Sequence, residues 1–146
     1  MRLWLFGVFV FLFFTASGCV RQSDGLETIQ VGEHNLQVAV MHTPEELRQG
    51  LSGTEQVPGD GMLFILPERQ EARFWMQGMR YSIDMIWIDG DKIVGVAKHV
   101  SIPDPGQSAE TLPVTRSGQP VTAVLEVPAG DFDKLELQIG MSADFQ

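Results

Sequence analysis

The sequence predicts a mainly β fold, a compact β-sandwich or barrel-like domain with one or two short helices. Apolar runs of strand length recur at residues 62–66, 83–88 and 121–127. Turn-forming Gly, Pro, Asp and Asn residues separate these runs, and helical periodicity is rare. Many short strands with few helical segments are typical of sandwiches and barrels.

The first elements of the domain are predicted to be a hairpin and a helix. Residues 28–31 and 36–41 flank the turn-forming segment 32–35, which predicts a β-hairpin with a four-residue turn. Thr43 is a suitable N-cap, the following proline suits the first helical position, and Glu46 completes a capping box. A short helix is therefore expected, ending at Gly50.

The centre of the sheet is predicted from two continuous apolar runs. Residues 62–66 and 83–88 have strand length and no polar alternation, so we expect both strands to be buried on both faces. A short strand at 74–76 lies between them in the chain. Gly90 predicts a tight hairpin turn into a strand at 93–97.

The C-terminal third is predicted to contain a long loop, a strand and a helical turn. Residues 101–120 are rich in Pro, Ser, Gly and Thr without a period, which predicts an irregular surface loop. Residues 121–127 form the last strand. A helical turn is expected around Phe132 and Leu135, followed by an edge strand at 137–141.

The N-terminus has the pattern of a bacterial export signal. Arg2 precedes an apolar run at 3–14, and the small residues 16–18 precede Cys19, the single cysteine of the chain. These last four residues resemble the lipobox of bacterial lipoproteins, which implies that Cys19 carries the lipid. An ordinary cleaved signal with a free thiol and an uncleaved anchor are the alternatives.

This pattern divides the chain into a signal peptide at 1–18, a lipidated tether at 19–27 and one domain at 28–146. We expect an extracytoplasmic, membrane-anchored protein. Val20 is not the Asp that commonly retains lipoproteins at the inner membrane, so an outer membrane location facing the periplasm is favoured in a cell with two membranes. The net charge of −9 makes nucleic acid a poor partner.

Five blocks of sequence stand out in order and spacing, at residues 43–51, 61–64, 74–76, 83–89 and 124–130. Together they resemble the DUF192 family. The resemblance covers nearly all of the chain after the signal. It implies a compact β-sandwich domain, commonly behind a signal peptide or lipid anchor, and it implies no established activity.

Asp84 is a carboxylate within an apolar strand, so its side chain is expected to be buried. A buried carboxylate must be paired, hydrogen-bonded or protonated. One interpretation is structural: Asp84 accepts hydrogen bonds from loop backbone, or pairs with Arg48, Arg73 or Arg80. The other is that Asp84 is the polar floor of a small-molecule pocket, with Arg48 or Arg80 nearby.

The aromatic and methionine residues between 62 and 87 have two interpretations. Trp75 and Met76 belong to this concentration, which is typical of a core but also suits a pocket for sugars or other flat ligands. The solvent exposure of Trp75 separates the two. The candidate ligand-binding residues are Asp84, Trp75, Met76, Arg48 and Arg80.

Metal binding and catalysis have weaker support. Met76 and Met79 are possible soft-metal ligands, but the three histidines fall on separate segments, so we expect no metal and no other cofactor. A glycosidase-like pair requires Asp84 and Glu126 on one accessible face. We therefore expect a non-catalytic binding module for a small molecule, glycan or envelope protein. An envelope enzyme acting on cell-wall or polysaccharide material, or a structural assembly module, is the alternative.

Overall fold

The computed structural model describes residues 25–145. The predicted signal peptide, Cys19 and all of the tether before Gly25 lie outside the described residues. The strands are β1 Leu26–Val31, β2 His34–Met41, β3 Gly61–Trp75, β4 Ile83–Asp89, β5 Lys92–Val100, β6 Val114–Pro128 and β7 Ala143–Asp144; the helices are α1 Pro44–Gln49 and α2 Asp131–Lys134, with a 3-10 turn at Ala109–Thr111.

The strands form one sheet that curls into a half-barrel. Its order is β5-β4-β6-β3-β2-β1-β7, in which β2 and β3 run parallel and the other neighbours antiparallel. The C-terminal segment lies beside the start of β5. The Gly140 N–H donates to the Ile93 carbonyl at 2.8 Å, and the Ala143 N–H at the start of β7 donates to the Asp91 carbonyl at 2.9 Å. This architecture confirms the predicted mainly β, barrel-like fold.

Two apolar clusters cover the two faces of the central strands. We call the face that packs against α2 and β7 the inner face, and the opposite one the outer face. Leu63, Ile86 and Leu125 belong to the inner cluster, whereas Phe64 and Val124 belong to the outer one. Successive strand residues point to opposite faces, so two filled faces require the continuous apolar runs that the sequence shows.

The helix α1 forms as its capping signals predict. Thr43 Oγ1 accepts from the Glu46 N–H at 3.3 Å, and Glu46 Oε2 accepts from the Thr43 N–H at 2.9 Å. This capping box satisfies backbone donors that the helix itself leaves unpaired. No helix within residues 25–145 is long and apolar enough to cross a bilayer.

The largest difference from the predicted elements is a long antiparallel pair formed by β3 and β6, which β4 and β5 separate in the chain. β3 continues through Pro67 and joins the two strands that were predicted separately, with register shifts between Ile65 and Gln70 that accommodate the proline. β6 takes up residues 114–120, so the predicted loop at 101–120 is wrong in its second half. Local composition did not reveal this, because the pairing of Trp75 with Val114 is a long-range contact.

Smaller corrections concern the ends of the domain. β1 begins at Leu26, slightly before the expected start, and the first hairpin has a two-residue turn because Gly32 adopts a positive φ of 58°. The edge strand predicted at 137–141 is absent from the described residues; the final strand is β7. Gly90 does form the predicted tight turn, with Asp89 paired to Lys92.

Candidate functional site

Asp84 is fully buried on the inner face and is bonded to backbone donors. Its Oδ1 accepts from the His99 N–H at 2.8 Å, and its Oδ2 accepts from the N–H groups of Gly130 at 2.9 Å and Phe132 at 3.1 Å. His99 and Gly130 both have positive φ, 50° and 93°. Asp84 therefore joins the end of β5 and the start of α2 to the sheet, and holds two left-handed backbone positions in place.

Asp84 is buried as predicted, and its contacts favour the structural interpretation over that of a pocket floor. The three backbone donors use both carboxylate oxygens, and no arginine pairs with the group among the described residues. Asp84 also does not line the cavity described next, since its side chain points to the other face of the sheet.

A cavity of about 500 Å³ lies on the outer face, between the end of α1 with the segment after it and β3, mainly the second half of that strand; Glu126 is the β6 residue that lines it. This volume falls within the range of small-molecule pockets. Gly50 shapes one wall: it has a φ of 47°, and a Cβ there would lie 3.2 Å from the ring of Phe64. A glycine thus lets the chain leave the helix close over the aromatic ring.

Much of the cavity wall is aromatic or apolar, although several glutamines also line it. Phe64 and Phe74 pack edge to face with ring centroids 5.1 Å apart, and the ring centroids of Phe74 and Trp87 are 6.2 Å apart. Leu66 and Met76 belong to the apolar part of the lining. Fixed aromatic packing of this kind gives a preformed surface for a flat or apolar ligand group.

Glu126 lies at the floor of the cavity. Glu126 is only 4% exposed, and in the sheet it lies opposite Met62 of β3 on one side and Met85 of β4 on the other. Within residues 25–145 the carboxyl has no hydrogen-bond or ion-pair partner; the Tyr81 hydroxyl bonds instead to Thr54 Oγ1.

Burial raises the pKa of Glu126 to about 8. The group is therefore mostly a neutral carboxylic acid at pH 7. In that form it offers one O–H donor and a carbonyl acceptor to whatever occupies the cavity.

Three of the predicted residues line the cavity. Trp75 is 55% exposed and lines the cavity, which favours the pocket interpretation of this side chain over the core one. Arg48 from α1 and the buried Met76 line it as well. Arg80 does not, and instead forms an exposed ion pair with Glu55.

The structure thus brings Arg48, Trp75 and Met76 together and leaves Asp84 and Arg80 elsewhere. It adds Glu126, which the sequence suggested only as half of a carboxylate pair. A signal for it exists: Glu126 interrupts the apolar run of β6 as Asp84 interrupts that of β4. Any carboxylate in such a run is a candidate for burial.

The proposed carboxylate pair is not formed. In the antiparallel register of β4 and β6, Asp84 lies opposite Val127, and Met85 lies opposite Glu126. Opposed residues share a face and successive residues alternate, so Asp84 and Glu126 point to opposite faces. Residues 25–145 also contain no group of three or more His, Cys, Asp or Glu side chains that could hold a metal.

Residues 25–145 thus form a mainly β domain with a ligand-sized cavity on its outer face. The model of the DUF192 family, described as Uncharacterized ACR, matches residues 27–145, and the chain is a member of that family. No curated protein matches the chain at a significant level.

Two solved structures are similar to this chain. A protein from Sinorhizobium meliloti 1021, whose given name proposes that it is a transcription regulator, is 26% identical and has a TM-score of 0.71, covering 82% of this chain and 92% of that one. A protein of unknown function from Novosphingobium aromaticivorans DSM 12444 is 21% identical with a TM-score of 0.73, covering 90% and 94%. The second supports the fold alone.

Proposed function

We propose that this protein is a lipid-anchored binding module whose site is the outer-face cavity. The observation that carries the proposal is Glu126, a buried carboxyl group without a partner among residues 25–145 that opens onto an aromatic cavity. No fully buried side-chain polar atom within residues 25–145 lacks a hydrogen-bond partner, so the Glu126 oxygens are accessible from the cavity. A ligand in the cavity can therefore hydrogen-bond to Glu126 directly.

A non-catalytic role is the better supported one. Binding needs only the cavity, its apolar wall and the polar groups at its floor and rim. An envelope enzyme that uses Asp84 and Glu126 as a catalytic pair would need both groups on one face, and the register of β4 and β6 separates them. The acidic chain, with a net charge of −9, also favours a small ligand over nucleic acid.

The first test is a thermal-shift screen of the full chain in lipid nanodiscs against aromatic carboxylates, amines, amino acids and sugars. A ligand at about 100 times its Kd adds roughly 2.7 kcal/mol, which is a shift of several degrees for a domain of this size. We expect Trp75→Ala to abolish the shift and Arg80→Gln, a surface variant outside the cavity, to retain it. A shift that persists unchanged in Trp75→Ala would contradict binding in this cavity.

Lipid anchoring at Cys19 is proposed from the lipobox-like sequence. Labelled palmitate should be incorporated into the full chain expressed in a bacterial host, and Cys19→Ser should abolish it and release the protein from the membrane fraction. Unchanged membrane association of Cys19→Ser would contradict lipid anchoring. Fractionation of inner and outer membranes tests the favoured outer location.

A further inference from the structure

The basic residues of the domain differ sharply in their partners. Each of the six others between residues 25 and 145 has an acidic partner within 4.0 Å, whereas Arg48 and Arg73 have none. Both of these arginines line the cavity. The paired residues are Arg69, Arg80, Lys92, Lys98, Arg116 and Lys134.

This distribution is informative because acidic groups outnumber basic ones, 19 against 10 in the whole chain. With acids in excess, an unpaired cation is an exception that needs an explanation. Guanidinium groups bind carboxylates through two parallel hydrogen bonds. Two arginines without an acidic partner that line one cavity are therefore suitable partners for an anionic ligand group.

The remainder of the cavity restricts the ligand further. Phe64, Phe74 and Met76 give the cavity an apolar surface, which suits a ligand with an apolar part. The exposed indole of Trp75 offers a face for stacking with a ring. At the floor, the neutral Glu126 carboxyl offers an O–H donor that requires an acceptor.

We propose that the cavity binds a small amphipathic carboxylate, with its anionic group at Arg48 and Arg73 and a carbonyl-type acceptor at Glu126. This inference rests on the proposed function of the cavity. An amine could pair with Glu71, which also lines the cavity, but Glu71 already has Arg116 at 3.6 Å, whereas Arg48 and Arg73 have no acidic partner. A carboxylate with a second acceptor suits both the arginines and Glu126.

The test uses the full chain labelled with 5-fluorotryptophan in lipid nanodiscs. The chain has three tryptophans, and Trp75→Phe assigns the resonance of the one at the rim. Four matched probes are titrated at pH 7: 4-acetylbenzoate, 4-isopropylbenzoate, 4-acetylbenzamide and 4-acetylbenzylamine. They separate the contribution of the anion from that of the acceptor, and nanodiscs without protein correct for partitioning.

We expect 4-acetylbenzoate to shift the Trp75 resonance with the lowest Kd of the four probes. Its Kd should be about tenfold below that of the amide and more than tenfold below that of the amine. Arg48→Gln and Arg73→Gln should each weaken carboxylate binding about fivefold or more while leaving amide binding unchanged. Arg80→Gln, in which the lost guanidinium belongs to a surface ion pair with Glu55, should change neither.

The acceptor at the floor is tested by the pair of benzoates. We expect 4-acetylbenzoate to bind more tightly than 4-isopropylbenzoate in the native chain and in Glu126→Gln, whose amide still donates a hydrogen bond. Glu126→Leu, which should fold because the site is apolar, should abolish this preference.

The outcomes are distinct. Equal binding of the acid, the amide and the amine at the Trp75 rim would overturn the assignment of a carboxylate while leaving the cavity a binding site. Tighter binding of the amine would overturn it in favour of a cationic ligand. Failure of all four probes to move the Trp75 resonance would count against the proposed function together with this inference.

Discussion

Replacing Glu126 by glutamine should change the pH dependence of stability as well as the stability itself. In the folded chain, burial raises the pKa of Glu126 from 4.5 to about 8. The unfolded chain ionises at its ordinary pKa. Between these two values the folded state therefore holds a proton that the unfolded state has released, so the stability of the native chain falls as the pH rises. Glutamine does not titrate and removes this effect.

The magnitude follows from the size of the pKa shift. Each pH unit inside the window corresponds to about 1.4 kcal/mol. From pH 5 to pH 7.5, the native chain should lose about 3 kcal/mol of unfolding free energy relative to Glu126→Gln. Other titrating groups contribute equally to both proteins, so they cancel in the comparison.

Urea unfolding of both proteins at pH 5, 6, 7 and 7.5 measures this difference. Glu71→Gln is the matched control, because Glu71 also lines the cavity but is exposed and pairs with Arg116 at 3.6 Å. A constant difference for Glu126→Gln would refute the reasoning, since it would mean that Glu126 is ionised in the folded state.

Three further substitutions test how the fold supports the site. Asp84→Asn should lower the unfolding free energy by about 2–4 kcal/mol in urea titrations, because an amide nitrogen would face backbone donors; a loss below about 0.5 kcal/mol would contradict its structural role. Trp75→Ala should cost less than about 1 kcal/mol in the same assay, since the side chain is largely exposed, and a core-like loss of 3 kcal/mol or more would be inconsistent with a rim position. Gly50→Ala should cost about 1–2 kcal/mol because of its positive φ and the nearby Phe64 ring, and an unchanged midpoint would argue against that geometry.

The sequence predicts best those parts of the fold that local chemistry determines. The helix α1 starts at Pro44 because its capping signals involve residues a few positions apart. The buried strand β4 follows from an apolar run whose length and composition exclude a solvent-exposed face. The turn at Gly90 is likewise set by a single residue and its neighbours.

The parts that were not predicted depend on contacts between distant segments. Residues 114–120 have the composition of a loop, and they become a strand because the far half of β3 pairs with them. Pro67 seemed to end a strand, yet a register shift allows β3 to continue past it.

The site shows the same limit. A carboxylate in an apolar strand predicts burial for Asp84 and Glu126 alike, but only the register shows which face each one reaches. Asp84 meets three backbone donors, whereas Glu126 meets a cavity. Arg48 and Arg73 are far apart in the sequence, and only the folded structure shows that they line the same cavity.

A crystallographic fragment screen of the full chain tests the central claim most directly, namely that the outer-face cavity is a ligand site with Glu126 at its floor. Crystals would be soaked with small aromatic acids, amides and amines. We predict fragments bound against Phe64 and Trp75 with a polar atom within hydrogen-bond distance of the Glu126 carboxyl. A cavity that stays without fragments in every soak, with Glu126 satisfied by ordered water or by neighbouring side chains, would contradict the claim.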